Sequence, residues 1–184
     1  SSTTAGGACA ACGIGPTKID AVMGIAKAYA TRVGAGPFPT ELHDETGQAL
    51  REKGQEFGST TGRPRRCGWL DLPALRLTIR LSGIEGLGLT KLDVLAGLPT
   101  VKICTGYRVG GRVVDEMPLD ADDLATAEPV FDELPGWTDS EGFTPAARRF
   151  VERVSALAGI PIWATSFGPA RATPIVDTPP FAAA

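Results

Sequence analysis

Residues 144–166, TPAARRFVERVSALAGIPIWATS, contain the clearest helix of the chain and a strand directly behind it. Thr144 is a typical N-cap residue, Pro145 suits the first helical position, and Gly159 favours the end of the helix. The apolar residues between them recur at helical spacing and form one stripe: Phe150, Val151, Val154 and Leu157. Residues 160–166 then read as a short buried strand. A helix that leads at once into a buried strand is typical of α/β proteins.

Two further helices are predicted upstream. Residues 19–34 carry apolar side chains at helical spacing and end at Gly34, a residue typical of helix C-termini. The second helix takes Asp71 as its N-cap and Pro73 in its first turn, and it runs to Gly83. The apolar stripe predicted for the first of these helices consists of Ile19, Val22, Ile25, Ala26, Tyr29 and Val33.

Buried strands are predicted between the helices. Residues 87–95 and 100–109 are both rich in apolar and β-branched side chains, and the second strand turns at Gly110-Gly111 into a β-hairpin. The chain is therefore predicted to be α/β, with a layered, mostly parallel sheet, flanking helices and a β-hairpin, in a single domain over residues 1–184. Ligands of such folds bind at loops beyond the carboxyl ends of the strands.

The composition indicates a globular protein of ordinary size. The chain has 184 residues, of which 43% are hydrophobic and 21% charged. Its formal net charge of −3 argues against a nucleic-acid binder, because such domains normally carry a basic surplus. No apolar run is long enough to span a bilayer, and the first residues do not resemble a signal peptide. We expect a cytoplasmic protein with no nucleic-acid or membrane partner.

Cysteine and histidine usage favours structural roles over metal or redox chemistry. Cys9 and Cys12 form a CxxC pair, but a zinc site needs a second ligand pair, and the only histidine, His43, lies in a polar loop. Thioredoxin-like chemistry would place the pair between a strand and a helix. We interpret these cysteines, with Cys67 and Cys104, as reduced structural residues and predict no metal site in this chain.

The segment GSTTGRPRR, residues 58–66, has the composition of an anion-binding loop. Its glycines let the backbone turn close to a ligand, and its hydroxyl groups add to the peptide N–H donors. Pro64 fixes the local backbone, so that in an extended segment Arg63 and Arg65 project to one side and Arg66 to the other. Guanidinium groups match carboxylates and phosphates. Composition alone leaves two alternatives open, an anion site and a surface turn whose arginines pair with Asp or Glu.

A second candidate site lies in LTKLDVL, where Lys91 and Asp93 are two residues apart and thus predicted to share one face of a strand. A carboxylate matches the N1–H and N2–H₂ donors of guanine and not the edge of adenine, and a lysine can lay its alkyl stem across the base. Recognition by hydrogen bonds discriminates strongly, because the wrong base leaves buried groups unpaired. Alone, the pair is a weak signal, since both residue types are common at strand ends.

Together these segments resemble the adenylosuccinate synthetase family in order and spacing. The matching motifs are SSTTAGGAC, GIGPTKID, KAYATRVGAGPFPTEL, EFGSTTGRPRRCGWLD, LTKLDVL, FVERV, and GIPI followed by SFGP. The resemblance covers nearly the whole chain but only part of the family's length, because family members carry a longer N-terminal portion. The small-residue run that opens the chain also reads like a cut through a fold. We therefore expect the C-terminal portion of such an enzyme.

The resemblance implies a partial adenylosuccinate synthetase fold, which is P-loop-NTPase-like, and a ligase of AMP biosynthesis. In this family GTP phosphorylates the 6-oxygen of IMP, and L-aspartate displaces that phosphate to give adenylosuccinate, GDP and phosphate. GTP is the co-substrate, and Mg²⁺ is expected for the complete enzyme, with its ligands outside this chain. Family members are homodimers. We expect exposed apolar surface, and hence a homodimer or association with the N-terminal portion.

The resemblance also implies ligand contacts. The 58–63 loop would close on the carboxylates of aspartate, with Arg63 also beside IMP, whereas Arg66 is left as structural. Aspartate and IMP contacts would come from Val33, Gly58, Ser59, Thr60, Thr61, Gly62 and Arg63. GTP contacts would come from Arg65, Lys91, Leu92, Asp93, Ser166, Phe167 and Gly168, with Lys91 and Asp93 as the guanine-binding pair.

Departures from the family pattern limit these expectations. The phosphate loop, the catalytic aspartate and histidine, and the magnesium ligands belong to the family's N-terminal portion; no GxxxxGK[ST] motif occurs here, and His43 is not at the catalytic position. No catalytic residue is therefore predicted, and the chain should be catalytically incomplete. The family's STGPDR reads SFGPAR, with Phe167 and Ala170, which leaves the last guanine contact open. Besides a synthetase portion, a non-catalytic guanine-nucleotide-binding module and a partner-binding remnant remain as alternatives.

Overall fold

The computed structural model describes residues 3–138, 143–168 and 174–176. Its helices are α1 (Ala5–Cys12), α2 (Glu45–Lys53), α3 (Leu72–Ser82), α4 (Leu92–Leu95), α5 (Ala121–Ala125) and α6 (Pro145–Ala158), with a 3-10 turn at Pro16–Lys18. Its strands are β1 (Met23–Lys27), β2 (Tyr29–Arg32), β3 (Arg66–Asp71), β4 (Gly86–Thr90), β5 (Thr100–Val109), β6 (Arg112–Val114), β7 (Glu128–Pro135), β8 (Ile162–Ser166) and β9 (Pro174–Val176). The interleaved helices and strands confirm the predicted α/β class.

The first sheet has the order β1-β4-β8-β9 and is mostly parallel, as predicted. β1 runs parallel to β4, with Lys27 opposite Thr90, and β4 runs parallel to β8, with Leu89 opposite Thr165. β9 pairs with β8 in antiparallel fashion. The carboxyl ends of β1, β4 and β8 therefore meet at one edge, where α/β proteins bind their ligands.

A second sheet, which the sequence did not reveal, has the order β2-β3-β5-β6, with β7 also paired to β5. β2 is antiparallel to β3, and β3 is parallel to β5. The predicted hairpin joins β5 to β6, and Gly110 and Gly111 both have positive φ, as the tight turn requires. The end of β2 lies beside the start of β3, because Arg32 pairs with Arg66.

The helices with strong local signals form as predicted. The Thr144 side chain caps α6 by accepting a hydrogen bond from the N–H of Ala147, and Gly159 ends the helix in the left-handed conformation. Phe150, Val151 and Val154 are buried, and Leu157 packs against the same core. Asp71 caps α3 in the same way, by accepting from the N–H of Ala74. Both helices are fixed by caps and an apolar stripe that lie within a few residues of each other.

The helix predicted over residues 19–34 is wrong, because the segment forms β1 and β2. Its supposed apolar stripe is not buried as one face: Tyr29 is 2% exposed, whereas Ile25 is 70% and Val33 72% exposed. The Ala28 N–H donates to Thr90 O at 2.9 Å, and the chain passes from the first sheet to the second at this point. Pairing with β4 and β3, both distant in sequence, outweighs the local periodicity.

The strand predicted over residues 87–95 is correct only as far as Thr90. Lys91 adopts a left-handed conformation with φ 61°, and Leu92–Leu95 form the short helix α4. Lys91 and Asp93 therefore do not share a strand face.

Large apolar side chains are exposed on β1 and at the end of β2, namely Ile25 and Val33. Within the described ranges, no helix combines the length and the hydropathy needed to cross a membrane.

Candidate functional site

The 58–63 loop is closed at its base by a short neck, which consists of residues 56–58 and 63–65. The N–H of Arg65 donates to Glu56 O at 2.9 Å, and the N–H of Gly58 donates to Arg63 O at 2.9 Å. Within the loop, the N–H of Gly62 donates to Gly58 O at 2.8 Å, and Gly62 has φ 65°. The tip is exposed, so that its hydroxyl groups and the Arg63 guanidinium face solvent. No other described residue hydrogen-bonds or pairs with the Arg63 side chain.

Glu56, at the base of this neck, holds a buried carboxylate that accepts hydrogen bonds at both oxygens. Its side chain is 0% exposed. Oε1 accepts from Lys27 Nζ at 2.8 Å, Tyr29 Oη at 2.6 Å and Lys91 Nζ at 2.8 Å. Oε2 accepts from Arg65 Nη1 at 2.8 Å. Three cations and a hydroxyl thus converge on one anion.

These contacts fix the ionisation of the cluster. Burial alone would raise the pKa of Glu56, but the hydrogen bonds from Lys27, Lys91, Tyr29 and Arg65 outweigh it and lower the pKa to about 2. Burial, followed by the hydrogen bond to Glu56, raises the pKa of Tyr29 above its ordinary value. At neutral pH the carboxylate is therefore charged, and the Tyr29 hydroxyl remains a donor.

The cluster lies at the carboxyl edge of the parallel sheet. Lys27 is the last residue of β1, Lys91 follows the last residue of β4, and Ser166 ends β8. Lys91 Nζ also donates to Gly54 O at 2.6 Å, so that its ammonium group is held at two points. Its alkyl stem is left as a fixed surface beside the edge.

A cavity of about 240 Å³ opens next to this stem, and we call it the Lys91–Asp93 cavity. Asp93 Oδ1 accepts from the N–H of Gly168 at 2.7 Å, and this bond ties the segment after β8 to α4. Oδ2 of Asp93 makes no further hydrogen bond to the described residues. The cavity is lined by Lys53, Gly54, Gln55, Lys91, Asp93, Val94 and Gly168.

Comparison with known proteins gives the family. Residues 1–175 match the family model described as adenylosuccinate synthetase. The chain belongs to the adenylosuccinate synthetase family. A solved structure of fully ligated adenylosuccinate synthetase from Plasmodium falciparum is 37% identical and superimposes with a TM-score of 0.90, covering 97% of this chain and 45% of that one.

Curated relatives are closer in sequence. The adenylosuccinate synthetase of an Anaeromyxobacter species is 54% identical over 100% of this chain, and that of Syntrophotalea carbinolica is 50% identical over 98%. In both cases the chain spans only 44% of the relative's length. The predicted adenylosuccinate synthetase resemblance and fold are thus confirmed at family level.

The residues implied for GTP fall into two groups in the structure. Lys91, Asp93 and Gly168 line one cavity, and Arg65 is tied to Lys91 through Glu56. Leu92 is fully buried in the core, and neither Leu92 nor Ser166, the last residue of β8, is among the described residues that line the cavity.

Phe167 replaces a smaller residue of the family motif, and its ring packs edge-on against Phe143 at 5.5 Å between centroids. It lies among the residues packed on the core, while Gly168 reaches Asp93. The Phe167 side chain is therefore not among the described residues that line the Lys91–Asp93 cavity. Ala170 lies outside the described residues.

The residues implied for aspartate and IMP lie around the neck. The loop turns at residues 59–61 and is exposed from Ser59 to Arg63, whereas Gly58 is half-buried. Val33 follows Arg32, which pairs with Arg66, and so it lies at the end of β2 where the loop enters β3. Arg63 and Arg65 flank Pro64 in the neck, where Pro64 forms an antiparallel bridge with Phe57. Arg63 is exposed, whereas Arg65 is half-buried and bonded to Glu56.

Arg66 fastens a different part of the fold. Its Nε donates to both carboxylate oxygens of Glu41 at 2.9 Å, and its Nη2 also donates to Glu41. Its Nη1 donates to the carbonyl oxygens of Gly34 at 3.2 Å and Gly36 at 2.8 Å. Arg66 thus holds the turn after β2 against the start of β3.

Sequence reasoning missed three members of the cluster, Lys27, Tyr29 and Glu56. Lys27 interrupts the apolar run at the end of β1, a signal that only a strand interpretation of this segment would have revealed. Glu56 stands in GQEFG directly before the loop, where it is one of many acidic residues. Its partners Lys27 and Lys91 are 29 and 35 positions away, so no local pattern marks it.

The described residues offer no fitting ligands for the Mg²⁺ that the family uses. They contain no group of three or more His, Cys, Asp or Glu side chains placed to hold a metal ion. Glu56 is surrounded by cations, and Asp93 is bonded to Gly168, which differs from the oxygen cage that Mg²⁺ prefers. His43 is exposed and lies 3.7 Å from Glu41.

The cysteines are free thiols in the structure. Cys67 and Cys104 are buried, and burial raises the pKa of the Cys104 thiol to about 12. Cys9 and Cys12 lie on α1, and Cys12 is exposed.

Proposed function

We propose that this chain supplies the aspartate-binding loop and the guanine-recognition site of an enzyme that joins L-aspartate to IMP at the expense of GTP. The products are adenylosuccinate, GDP and phosphate. The observation that carries this proposal is the juxtaposition of the exposed 58–63 loop and the Lys91–Asp93 cavity on the two sides of Glu56. Membership of the adenylosuccinate synthetase family supports the same reaction.

The cavity suits guanine by its chemistry. Oδ2 of Asp93, which accepts no hydrogen bond from the described residues, presents two acceptors together with Oδ1 to the N1–H and N2–H₂ groups of the base. Adenine offers no such pair of donors on that edge and would leave the carboxylate unpaired, which disfavours it strongly. The stem of Lys91, held by Glu56 and Gly54, provides an apolar surface for the plane of the base.

The loop suits the carboxylates of aspartate. Ser59, Thr60 and Thr61 supply hydroxyl groups, Gly58 and Gly62 allow close backbone approach, and Arg63 supplies a guanidinium with no competing partner among the described residues. Neutralised carboxylates leave the amine of aspartate free to attack C6 of IMP after its oxygen has been phosphorylated. Positioning and charge neutralisation are the main contributions a protein makes to phosphoryl transfer. Val33 and Arg63 are proposed to contact IMP, and Arg65 to contact GTP.

We further propose that residues 1–184 act as one C-terminal unit and that the remaining part of the enzyme completes the reaction centre. The chain spans 44% of the length of its curated relatives. Ile25 and Val33 are exposed at β1 and at the end of β2, and such apolar surface favours association with that part or with a second copy. A non-catalytic guanine-nucleotide module is the second candidate, favoured by a cavity that the described residues of this chain line by themselves.

Calorimetric titration of the 184-residue chain with GDP, and with ADP as control, tests the guanine site. We expect GDP to bind and ADP not to bind. Asp93→Ala should weaken GDP binding about tenfold to hundredfold, the worth of a hydrogen bond to a charged group. Asp122→Ala, an exposed carboxylate on α5, is the matched control and should bind GDP like the unmodified chain. Equal affinity for GDP and ADP would contradict the assignment.

A further inference from the structure

Glu56 contacts both of the segments that the proposed function assigns to different ligands. Its Oε1 accepts from Lys91, whose side chain lines the Lys91–Asp93 cavity, and its Oε2 accepts from Arg65, whose backbone closes the neck of the 58–63 loop. We propose that Glu56 is a positioning residue that couples this cavity to the loop, so that nucleotide binding and loop order stabilise each other. The inference rests on the proposed function.

The hydrogen bonds of Glu56 fix its carboxylate between the Lys91–Asp93 cavity and the 58–63 loop. Lys27 and Tyr29 hold Oε1 from the β1–β2 connection, and Lys91 adds a third donor to the same oxygen. A carboxylate that is 0% exposed has no water to replace a lost partner. Displacement of Lys91 is therefore transmitted to the carboxylate, and displacement of the carboxylate to Arg65.

The backbone before Glu56 is shaped around these contacts. A Cβ at Gly54 would lie 2.2 Å from Tyr29 Oη and 2.6 Å from Leu50 O, so a side chain there would push away the hydroxyl that bonds Glu56. Gln55 has φ 51°, a left-handed conformation that is costly for a residue other than glycine. Directly after this left-handed residue the Glu56 side chain is buried, and before it Gly54 O accepts from Lys91 Nζ at 2.6 Å.

The direction of the coupling follows from the contacts. A base lying on the Lys91 stem and bonded to Asp93 restrains Lys91, which restrains Glu56 and thereby Arg65. Arg65 carries both the side-chain bond to Oε2 and the N–H bond to Glu56 O, so a more rigid Glu56 stabilises the neck at two points. Coupling between two sites is reciprocal in free energy, and an ordered loop would in turn favour the nucleotide.

Hydrogen exchange of the full 184-residue chain, followed by mass spectrometry with and without saturating GDP, tests the proposal. We expect GDP to slow exchange in peptides that cover residues 57–66 by about fivefold or more, as for a moderate allosteric coupling. In Glu56→Gln, GDP should still bind through Asp93 but slow exchange there by less than about twofold. A purely structural Glu56 would not change this GDP-dependent difference.

Two variants keep the result decisive. Arg65→Gln removes the Oε2 link and also the nucleotide contact proposed for Arg65, so its exchange is compared at a GDP concentration that calorimetry shows to be saturating for this variant. With GDP bound it should still lose the GDP-dependent protection, and it replaces Glu56→Gln if that variant does not fold. Glu133→Gln breaks only the surface pair with Lys102 and should keep the protection of the unmodified chain.

The outcomes separate the two proposals. If the unmodified chain binds no GDP, the guanine site and this coupling are both overturned. If GDP binds without slowing exchange at residues 57–66, only the coupling is overturned. Equal protection in the unmodified chain, Glu56→Gln and Arg65→Gln would show that the loop responds by a route that does not include Glu56.

Discussion

Two neighbouring arginines, Arg65 and Arg66, pair with two glutamates in different ways. Arg65 uses Nη1 to reach Glu56, whose side chain is 0% exposed and also accepts from three other side chains. Arg66 donates through Nε and Nη2 to Glu41, whose side chain is 12% exposed. Its Nη1 donates to two backbone carbonyl oxygens. One cluster is organised around the carboxylate, and the other around the guanidinium.

The difference shows what each cluster is suited to do. A buried carboxylate shared by several donors links the elements that supply them, and Glu56 therefore joins β1, the neck of the loop and the residue after β4. A guanidinium fork that fills its donors with one carboxylate and adjacent carbonyls acts as a local clamp, and Arg66 fastens the turn after β2. The cluster at the sheet edge is the one that adjoins the Lys91–Asp93 cavity.

The largest expected difference between the clusters is in stability. Glu56→Ala leaves Lys27, Lys91 and Arg65 without their common counter-ion. Because these side chains are about a third exposed and can be partly rehydrated, we expect a loss of about 3 kcal/mol in the free energy of unfolding, at the low end for a broken buried pair. Glu41→Ala should cost about 1 kcal/mol. Urea unfolding of the two variants measures both values.

The comparison would be overturned by equal losses in the two variants. A surface control is Glu133→Ala, whose exposed pair with Lys102 should contribute about 0.5 kcal/mol or less.

An element of the fold could be predicted from the sequence where the residues that determine it lie within that element. α6 and α3 carry their caps and apolar stripes within the helix, and the β5–β6 turn carries its glycines, so each could be predicted from its own residues. Residues 19–34 have an apolar spacing compatible with a helix, but their conformation is decided by β4 and β3. The second sheet could not be predicted for the same reason, because it is formed by pairing between separate segments of the chain. Its strand β5 alone pairs with β3, β6 and β7.

The candidate site divides in the same way. The loop and the Lys91–Asp93 pair could be proposed because their residue types carry the chemistry in one short segment. Glu56 could not, because its role comes from burial and from donors on β1, in the neck of the loop and at the residue after β4, which meet only in the folded chain. The missed residues are therefore those whose function is to hold others.

The second prediction compares how the carboxylates of the two clusters, Glu56 and Glu41, make stability depend on pH. The folded-state pKa of Glu56 is about 2, below the ordinary value of 4.5, so its stabilisation is fully present above about pH 4.5 and is lost as the pH falls toward 2. The hydrogen bond from Arg66 also lowers the pKa of Glu41. Urea unfolding across this pH window should show that the free energy of unfolding falls steeply as the pH decreases. Glu56→Gln should reduce this pH dependence more than Glu41→Gln does. A steeper dependence remaining in Glu56→Gln than in Glu41→Gln would contradict the assignment.

The smallest expected effect distinguishes the arginines themselves. Arg66→Lys replaces a fork that serves Glu41 and two carbonyls with a single ammonium, and it should cost about 1–2 kcal/mol in the free energy of unfolding. Arg65→Lys keeps a cation that can still reach Glu56 Oε2 and should cost about 0.5 kcal/mol or less. Paired urea titrations give the difference directly. If Arg65→Lys proved the more costly, the shared carboxylate would depend on guanidinium geometry as well as charge, and Arg65 would be a local clamp of the same kind as Arg66.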